Sequence, residues 1–116
     1  MASTPNPIDE QRAHKRFIVS GRAMLEKDGR AIFGQVVSIS AGGMHVKGAT
    51  DLLCDTGIAI DFSVSVGGGQ FLMVGQGMVV WIRPGEVEIK FLQDPLGIRG
   101  LLAWLEREHY PWSSIP

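Results

Sequence analysis

FIVSGRAMLEKDGRAIFGQVVSIS, residues 17–40, places two apolar-rich runs on either side of Lys27-Asp28-Gly29-Arg30. Asp28-Gly29 is a hairpin signal, because the two-residue turn whose twist matches that of its strands needs positive φ at both central positions. The stretch reads as strand, tight turn and return strand.

The downstream chain keeps that pattern. After Gly42-Gly43, the run MHVKG begins a third strand. Ile58, Ile60, Phe62 and Val64 share one face while Ala59, Asp61 and Ser63 take the other, the period-two signature of a half-buried strand. SVGGG is a glycine-rich loop, and Gly75 and Gly77 inside FLMVGQGMVVWI predict a bulge or sharp bend. Pro84-Gly85 turns the chain. Val87, Ile89 and Phe91 then alternate with Glu86, Glu88 and Lys90, which predicts one wet face. The period changes at the end: Asp94 is expected to cap a helix with Pro95 at its first position. Ile98, Leu101, Leu102 and Leu105 follow at helical spacing, and Tyr110-Pro111 ends the helix.

Six short strands and one amphipathic helix predict an all-β fold, a six-stranded antiparallel β-barrel with a C-terminal α-helix. Closing the barrel removes the free edges that invite aggregation. Residues 1–10, with Pro5 and Pro7, read as a flexible lead, residues 11–110 as the domain and residues 111–116 as a tail. The helix could pack on its own barrel or on a second copy, which leaves a homodimer open.

The chain has 116 residues, an apolar fraction of 45% and a formal charge of −1, enough for one core but with no global field to attract an anionic partner. Recognition by charge must therefore be local. Cys54 is the sole cysteine, which excludes an intrachain disulfide and fits a reducing cytosol. MASTPNPIDE lacks the basic start and apolar stretch of a signal peptide. No apolar run approaches the roughly 20 residues of a spanning helix. A cytoplasmic protein without membrane insertion is expected.

Catalysis finds little support. His14, His45 and His109 are scattered, no nucleophile elbow or metal-ligand spacing is present, and the carboxylates fall on predicted wet faces or turns. The stretches GRAIFGQ and VGGGQ lack the Lys and Ser/Thr of a phosphate-cradling loop. No enzyme activity, metal or cofactor is expected. A nucleic-acid partner is not expected either, since aromatics are 8% of the chain and most alternate into the predicted core. Trp81 and Trp104 are assigned to that core, and Trp112, in the tail, to an interface.

Two stretches remain. In QRAHKRF, residues 11–17, Arg12 and Arg16 stand four apart around His14 and Lys15 with no acid among them. In SISAGG, residues 38–43, small polar side chains and glycines replace the apolar alternation, so a ligand can come close to the backbone. Taken singly, these are a solvated basic linker and a plain β-turn.

Together they resemble the PilZ domain, the bacterial receptor module for cyclic di-GMP, whose signature is RxxxR, a strand hairpin and then (D/N)xSxxG. RAHKR supplies Arg12 and Arg16, and SISAGG supplies Ser40 and Gly43. GMVVWIRPGEVEIKFLQDP is similar to the family's final hairpin, and the closing helix fits. The resemblance implies a non-enzymatic receptor that changes conformation on binding cyclic di-GMP and signals to an effector protein. In that reading Arg12 and Arg16 sit on a mobile strap and grip guanine edges and phosphates. Ser38, Ser40 and Gly43 form the floor, and Gln11, Lys15 and Ala41 add peripheral contacts. The residue type suits the ligand: a guanidinium pairs in a fork with phosphate or with guanine O6/N7 and also stacks on a purine. One position departs from the signature, Ser38 in place of Asp or Asn. Losing a charge-assisted bond there costs roughly 1.5–3 kcal/mol, about one to two decades of affinity. The alternative is a degenerate PilZ-like adaptor that acts by protein contact without nucleotide.

Overall fold

The computed structural model describes residues 15–48 and 55–108, with backbone alone at 112–113. Strand β1 (Arg16–Lys27) and strand β2 (Arg30–Ile39) form the expected hairpin. Asp28 and Gly29 at its tip have φ of 54° and 78°, both positive as the turn requires. The chain continues through β3 (Gly43–Lys47), β4 (Ala59–Val66), β5 (Phe71–Arg83), β6 (Glu86–Phe91) and helix α1 (Ile98–Arg107). A two-residue strand, β7 (Trp112–Ser113), follows the helix.

Neighbouring strands run in the order β2-β3-β6-β5-β4-β1, and β1 pairs back onto β2, so six antiparallel strands close into a barrel. β7 pairs with β1 at Arg16 and Phe17, a pairing that the tail's composition does not announce. Inside, the alternation works as the sequence predicts. Ile60, Phe62, Val64 and Val66 of β4 meet Val87, Ile89 and Phe91 of β6 and Ala23 and Leu25 of β1 in one core. Helix α1 buries Ile98, Leu101 and Leu105 against its own barrel, and Trp104 packs on Phe71 with centroids 4.8 Å apart.

Two local expectations are corrected. The helix does not begin at Pro95. β6 pairs with β5 only from Gly77 onward, which leaves the earlier half of β5 with unpaired backbone groups on that side. Residues 92–96 fill the gap. Leu92 N–H donates to the Gln76 carbonyl at 3.0 Å, Leu96 N–H to Val74 at 2.8 Å, and Val74 N–H back to Leu96 at 3.1 Å. Satisfying these groups outweighs the preference of proline for a first helical turn. Gly97, with φ of 90°, then swings the chain into the helix, and a Cβ there would strike the Leu72 carbonyl. Nor do Gly75 and Gly77 make a bulge, because pairing with β4 runs through both without a break. The irregularity against β6 falls between Val79 and Trp81. The two glycines make room instead: a Cβ on Gly77 would lie 2.5 Å from Ile89 Cγ2, and one on Gly75 3.0 Å from Pro95 Cβ.

Candidate functional site

Register alone builds one outward row across five strands. Ile18 of β1 stands opposite Ser38 of β2, Ser38 opposite His45 of β3, His45 opposite Glu88 of β6, and Glu88 opposite Trp81 of β5. Directly opposed residues on one face sit close enough for their side chains to interact. Arg16 lies two residues before Ile18 and therefore faces the same way.

Its guanidinium reaches over the row. Nη1 donates to Ser38 Oγ at 3.0 Å, while Nη2 donates to Glu88 Oε2 at 2.6 Å and Nη1 to Glu88 Oε1 at 3.5 Å. This is a forked, charge-assisted contact, stronger and more directional than a single neutral bond. It is also partly withdrawn from water, since the side chains of Arg16 and Glu88 are 25% and 13% exposed. Burial pushes the Glu88 carboxyl above its ordinary range, and the charge and hydrogen bond of Arg16 pull the other way.

His45 completes the centre of the row. Its Nδ1 lies 3.8 Å from Glu88 Oε1 and its Nε2 3.2 Å from Glu86 Oε1, yet Nε2 is buried without hydrogen-bond geometry to any partner among the described residues. Burial lowers the His45 pKa, Glu86 opposes that, and Arg16 and Lys47 add to the lowering, so the ring is held toward its neutral form. The ring stands edge-on to Trp81 at 5.2 Å, and the Arg83 guanidinium covers the Trp81 face at 4.5 Å. Trp81 is therefore an outer-face residue, contrary to its assignment to the core. The bulge beside it and the period-two alternation turn it outward.

The turn between β2 and β3 fixes this row. Ser40 N–H donates to the Gly43 carbonyl at 2.9 Å, Gly42 N–H donates to Ser40 Oγ at 3.2 Å, and Ser40 Oγ reaches the Gly43 carbonyl at 3.4 Å. The Ser40 hydroxyl is thus engaged within the turn, and the residue is only 4% exposed. Gly43 is buried, and a Cβ there would lie 2.5 Å from the Ile89 carbonyl oxygen. Its missing side chain lets β3 approach β6.

The structure thus brings Arg16 and Ser38 together and places Ser40, Ala41 and Gly43 in the turn behind them. Arg16 belongs to a paired strand, not to a loose strap. Lys15 is directed elsewhere, with Nζ 2.7 Å from Glu106 Oε1 on α1. Gln11, Arg12, His14 and the Trp112 side chain lie outside the described residues. Sequence reasoning missed Glu88, His45 and Trp81. Glu88 was legible as an outward position, whereas Trp81 was assigned to the core and His45 to neither face, and alternation does not reveal which outward residues end up side by side.

Chemically, the row sets a forked cation, a hydroxyl, an imidazole and an indole on one face, with the Glu88 carboxylate paired to the cation. Ser38 Oγ is engaged by Arg16, and among the described residues no hydrogen bond joins it to His45 as a nucleophile–base pair would need. No group of three metal-ligating side chains occurs among the described residues. No helix among them is long and apolar enough to cross a membrane.

A closed six-stranded barrel with a C-terminal helix and an arginine-led polar row on its outer wall defines a small binding-domain architecture. The chain belongs to the PilZ domain family, whose model matches residues 10–107. No curated protein matches the sequence. Among solved structures the chain is similar to the Bacillus subtilis inhibitor of motility MotI/DgrA, with a TM-score of 0.67 and 16% identity, over 83% of this chain and 49% of that one. It therefore spans about half the length of that relative. It is also similar to the PilZ domain of YcgR from Escherichia coli with c-di-GMP, with a TM-score of 0.64 and 16% identity, over 83% of this chain and 92% of that one. At such identities the likeness is one of fold.

Proposed function

We propose that this domain is a cytoplasmic, non-enzymatic receptor for cyclic di-GMP that passes the signal to an effector protein by contact. The observation that carries the reading is the forked guanidinium of Arg16, held over Ser38 on the outer wall by strand register. It stands at the second arginine of the family's first motif, and Ser38 opens the second. Cyclic di-GMP offers two phosphates and two guanine edges, and a guanidinium can pair with either and stack on the purine. Arg12 is the second gripping residue in this reading. Ser40, Ala41 and Gly43 shape the corner behind the ligand, and Gln11 and Lys15 are peripheral. The change on binding is assigned to the segment before β1, so hydrogen exchange at residues 8–15 should slow with ligand. For the effector, the barrel offers exposed apolar side chains away from the polar row, Phe33, Val74 and Leu96 among them.

Titration calorimetry with cyclic di-GMP tests the proposal. Arg12→Ala and Arg16→Ala should each weaken binding about 100-fold, the equivalent of a charge-assisted hydrogen-bond pair. Equal heats for wild type and both variants would remove these arginines from the site.

One observation favours a second reading, an adaptor that works without nucleotide: Ser38 replaces the acid or amide of the family's motif, and Arg16 is already paired with Glu88. Wild type that binds nothing, with binding gained in Ser38→Asp, would establish that reading.

A further inference from the structure

The pair between Arg16 and Glu88 presents a difficulty to any anionic ligand. The two terminal nitrogens of the guanidinium are the donors that a phosphate or a guanine edge would use end-on, and both point at Glu88. A ligand approaching the other edge of the guanidinium, through Nε, would still lie beside the Glu88 charge. In either pose, two anions would compete for one cation in a partly buried place, where their repulsion is poorly screened.

Among the described residues, the surroundings of Glu88 offer no replacement for Arg16. On β6 itself, Glu86 adds a second negative charge, and Lys90, two residues on along the same face, makes no ion pair with Glu88. From β3, the near-neutral ring of His45 faces Glu88, and Lys47 stands opposite Glu86 instead. From β5, Trp81 lies opposite Glu88, while Arg83 pairs in register with Glu86 and covers the Trp81 ring. From β2 comes only the Ser38 hydroxyl, itself a partner of Arg16. Arg16 is thus the one permanent cation in contact with Glu88 among the described residues.

We propose that Glu88 is an internal competitor for Arg16: an anionic nucleotide binds by displacing the Glu88 carboxylate from the guanidinium, and Glu88 takes up a proton as it loses that partner. The inference rests on the receptor reading above and adds to it the residue that sets affinity and its dependence on pH. The direction follows from charge. Removing Arg16 from a buried carboxylate and placing a phosphate nearby both favour the protonated form. Phosphodiesters stay ionised throughout the range concerned, so the ligand itself contributes no proton. By linkage, affinity rises as pH falls wherever the complex holds more protons than the free protein. The burial that already raises the Glu88 carboxyl brings this window toward neutrality.

Calorimetric titration of cyclic di-GMP from about pH 5.5 to 8, in paired buffers of different ionisation enthalpy, reads both affinity and proton uptake. Wild type should bind more tightly as pH falls and take up a fraction of a proton per site. Glu88→Gln, nearly isosteric, should bind about tenfold more tightly at neutral pH with the pH slope gone. His45→Gln should keep the slope. A Glu88→Gln variant that binds no better and keeps the slope would overturn the inference while leaving the receptor reading intact. A slope lost only in His45→Gln would place the proton on the imidazole and overturn it as well. No binding by wild type or Glu88→Gln at any pH would overturn the receptor reading and this one with it. Independently of any variant, the Glu88 carboxyl carbon should shift in the direction of protonation when labelled wild type is saturated with ligand. An unchanged carboxyl signal at saturation would refute proton uptake there.

Discussion

Two rows of outward residues cross the same barrel and differ in chemistry. One is Ile18–Ser38–His45–Glu88–Trp81 with Arg16 laid over it. The other is Phe33–Met24–Ser63–Val74–Leu96, running over β2, β1, β4 and β5 to the strand-like segment before α1. In the first row, hydrogen bonds, an ion pair and a ring contact join the side chains, and the carboxylate at its centre is nearly covered. In the second, Phe33, Val74 and Leu96 are 64%, 42% and 78% exposed. The same period-two rule puts both rows outside. What separates them is which side chains the register gathers. The first row joins an arginine, a serine, a histidine and a glutamate into a preorganised site, whereas the second, Ser63 apart, leaves apolar side chains exposed as a contact surface.

The largest effect should come from the turn beneath the polar row. Gly43→Ala drives a Cβ against the Ile89 carbonyl and must part β3 from β6, so it is expected to lower unfolding stability by about 3 kcal/mol in urea titration. Phe33→Ser on the apolar row should change it by less than about 0.5 kcal/mol. If the two costs were alike, the turn would not be what fixes the polar row.

A smaller effect should appear in the pH dependence of stability. His45 has a lowered pKa, so the folded chain resists a proton that the unfolded chain accepts. Its contribution is present above the ordinary histidine value and is lost as pH falls through the folded value. Glu88 has a raised pKa and acts in the opposite sense: its contribution is greatest below the ordinary carboxylate value and is lost as pH rises through the folded value. His45→Gln should therefore lose less stability than wild type between about pH 7 and pH 5.5, read from urea midpoints. An equal loss in both proteins would mean that His45 does not titrate differently on folding.

The smallest expected effect is a null. Val74→Asp combined with Leu96→Asp should leave the affinity for cyclic di-GMP within about twofold of wild type, since neither touches the polar row. A tenfold loss by calorimetry would erase the functional distinction between the rows.

Much of this is legible in the sequence because it depends on neighbours along the chain. Asp28-Gly29 announces its turn, and the alternation through Ile60, Phe62 and Val64 announces its strand. Leu101 and Leu105 announce the helix that buries them. The helix start is not legible, because the partner that holds Leu96 in a sheet is Val74, on another strand. The same limit applies at the site. Arg16 and Ser38 can be named from their motifs, but Glu88 reads as one more wet-face carboxylate, because what covers it arrives from β1. Gly43 reads in sequence as an approach for ligand, whereas its lack of a side chain first serves the packing of two strands.

Backbone and indole N–H chemical shifts, followed while the labelled protein is titrated with cyclic di-GMP, test most directly whether the Arg16-led row is the nucleotide face. Arg16, Ser38, His45, Glu88 and the Trp81 indole should move together and saturate with one isotherm, while Phe33, Met24, Val74 and Leu96 stay in place. Saturating shifts confined to the apolar row, or a polar row that stays still at saturation, would contradict the account.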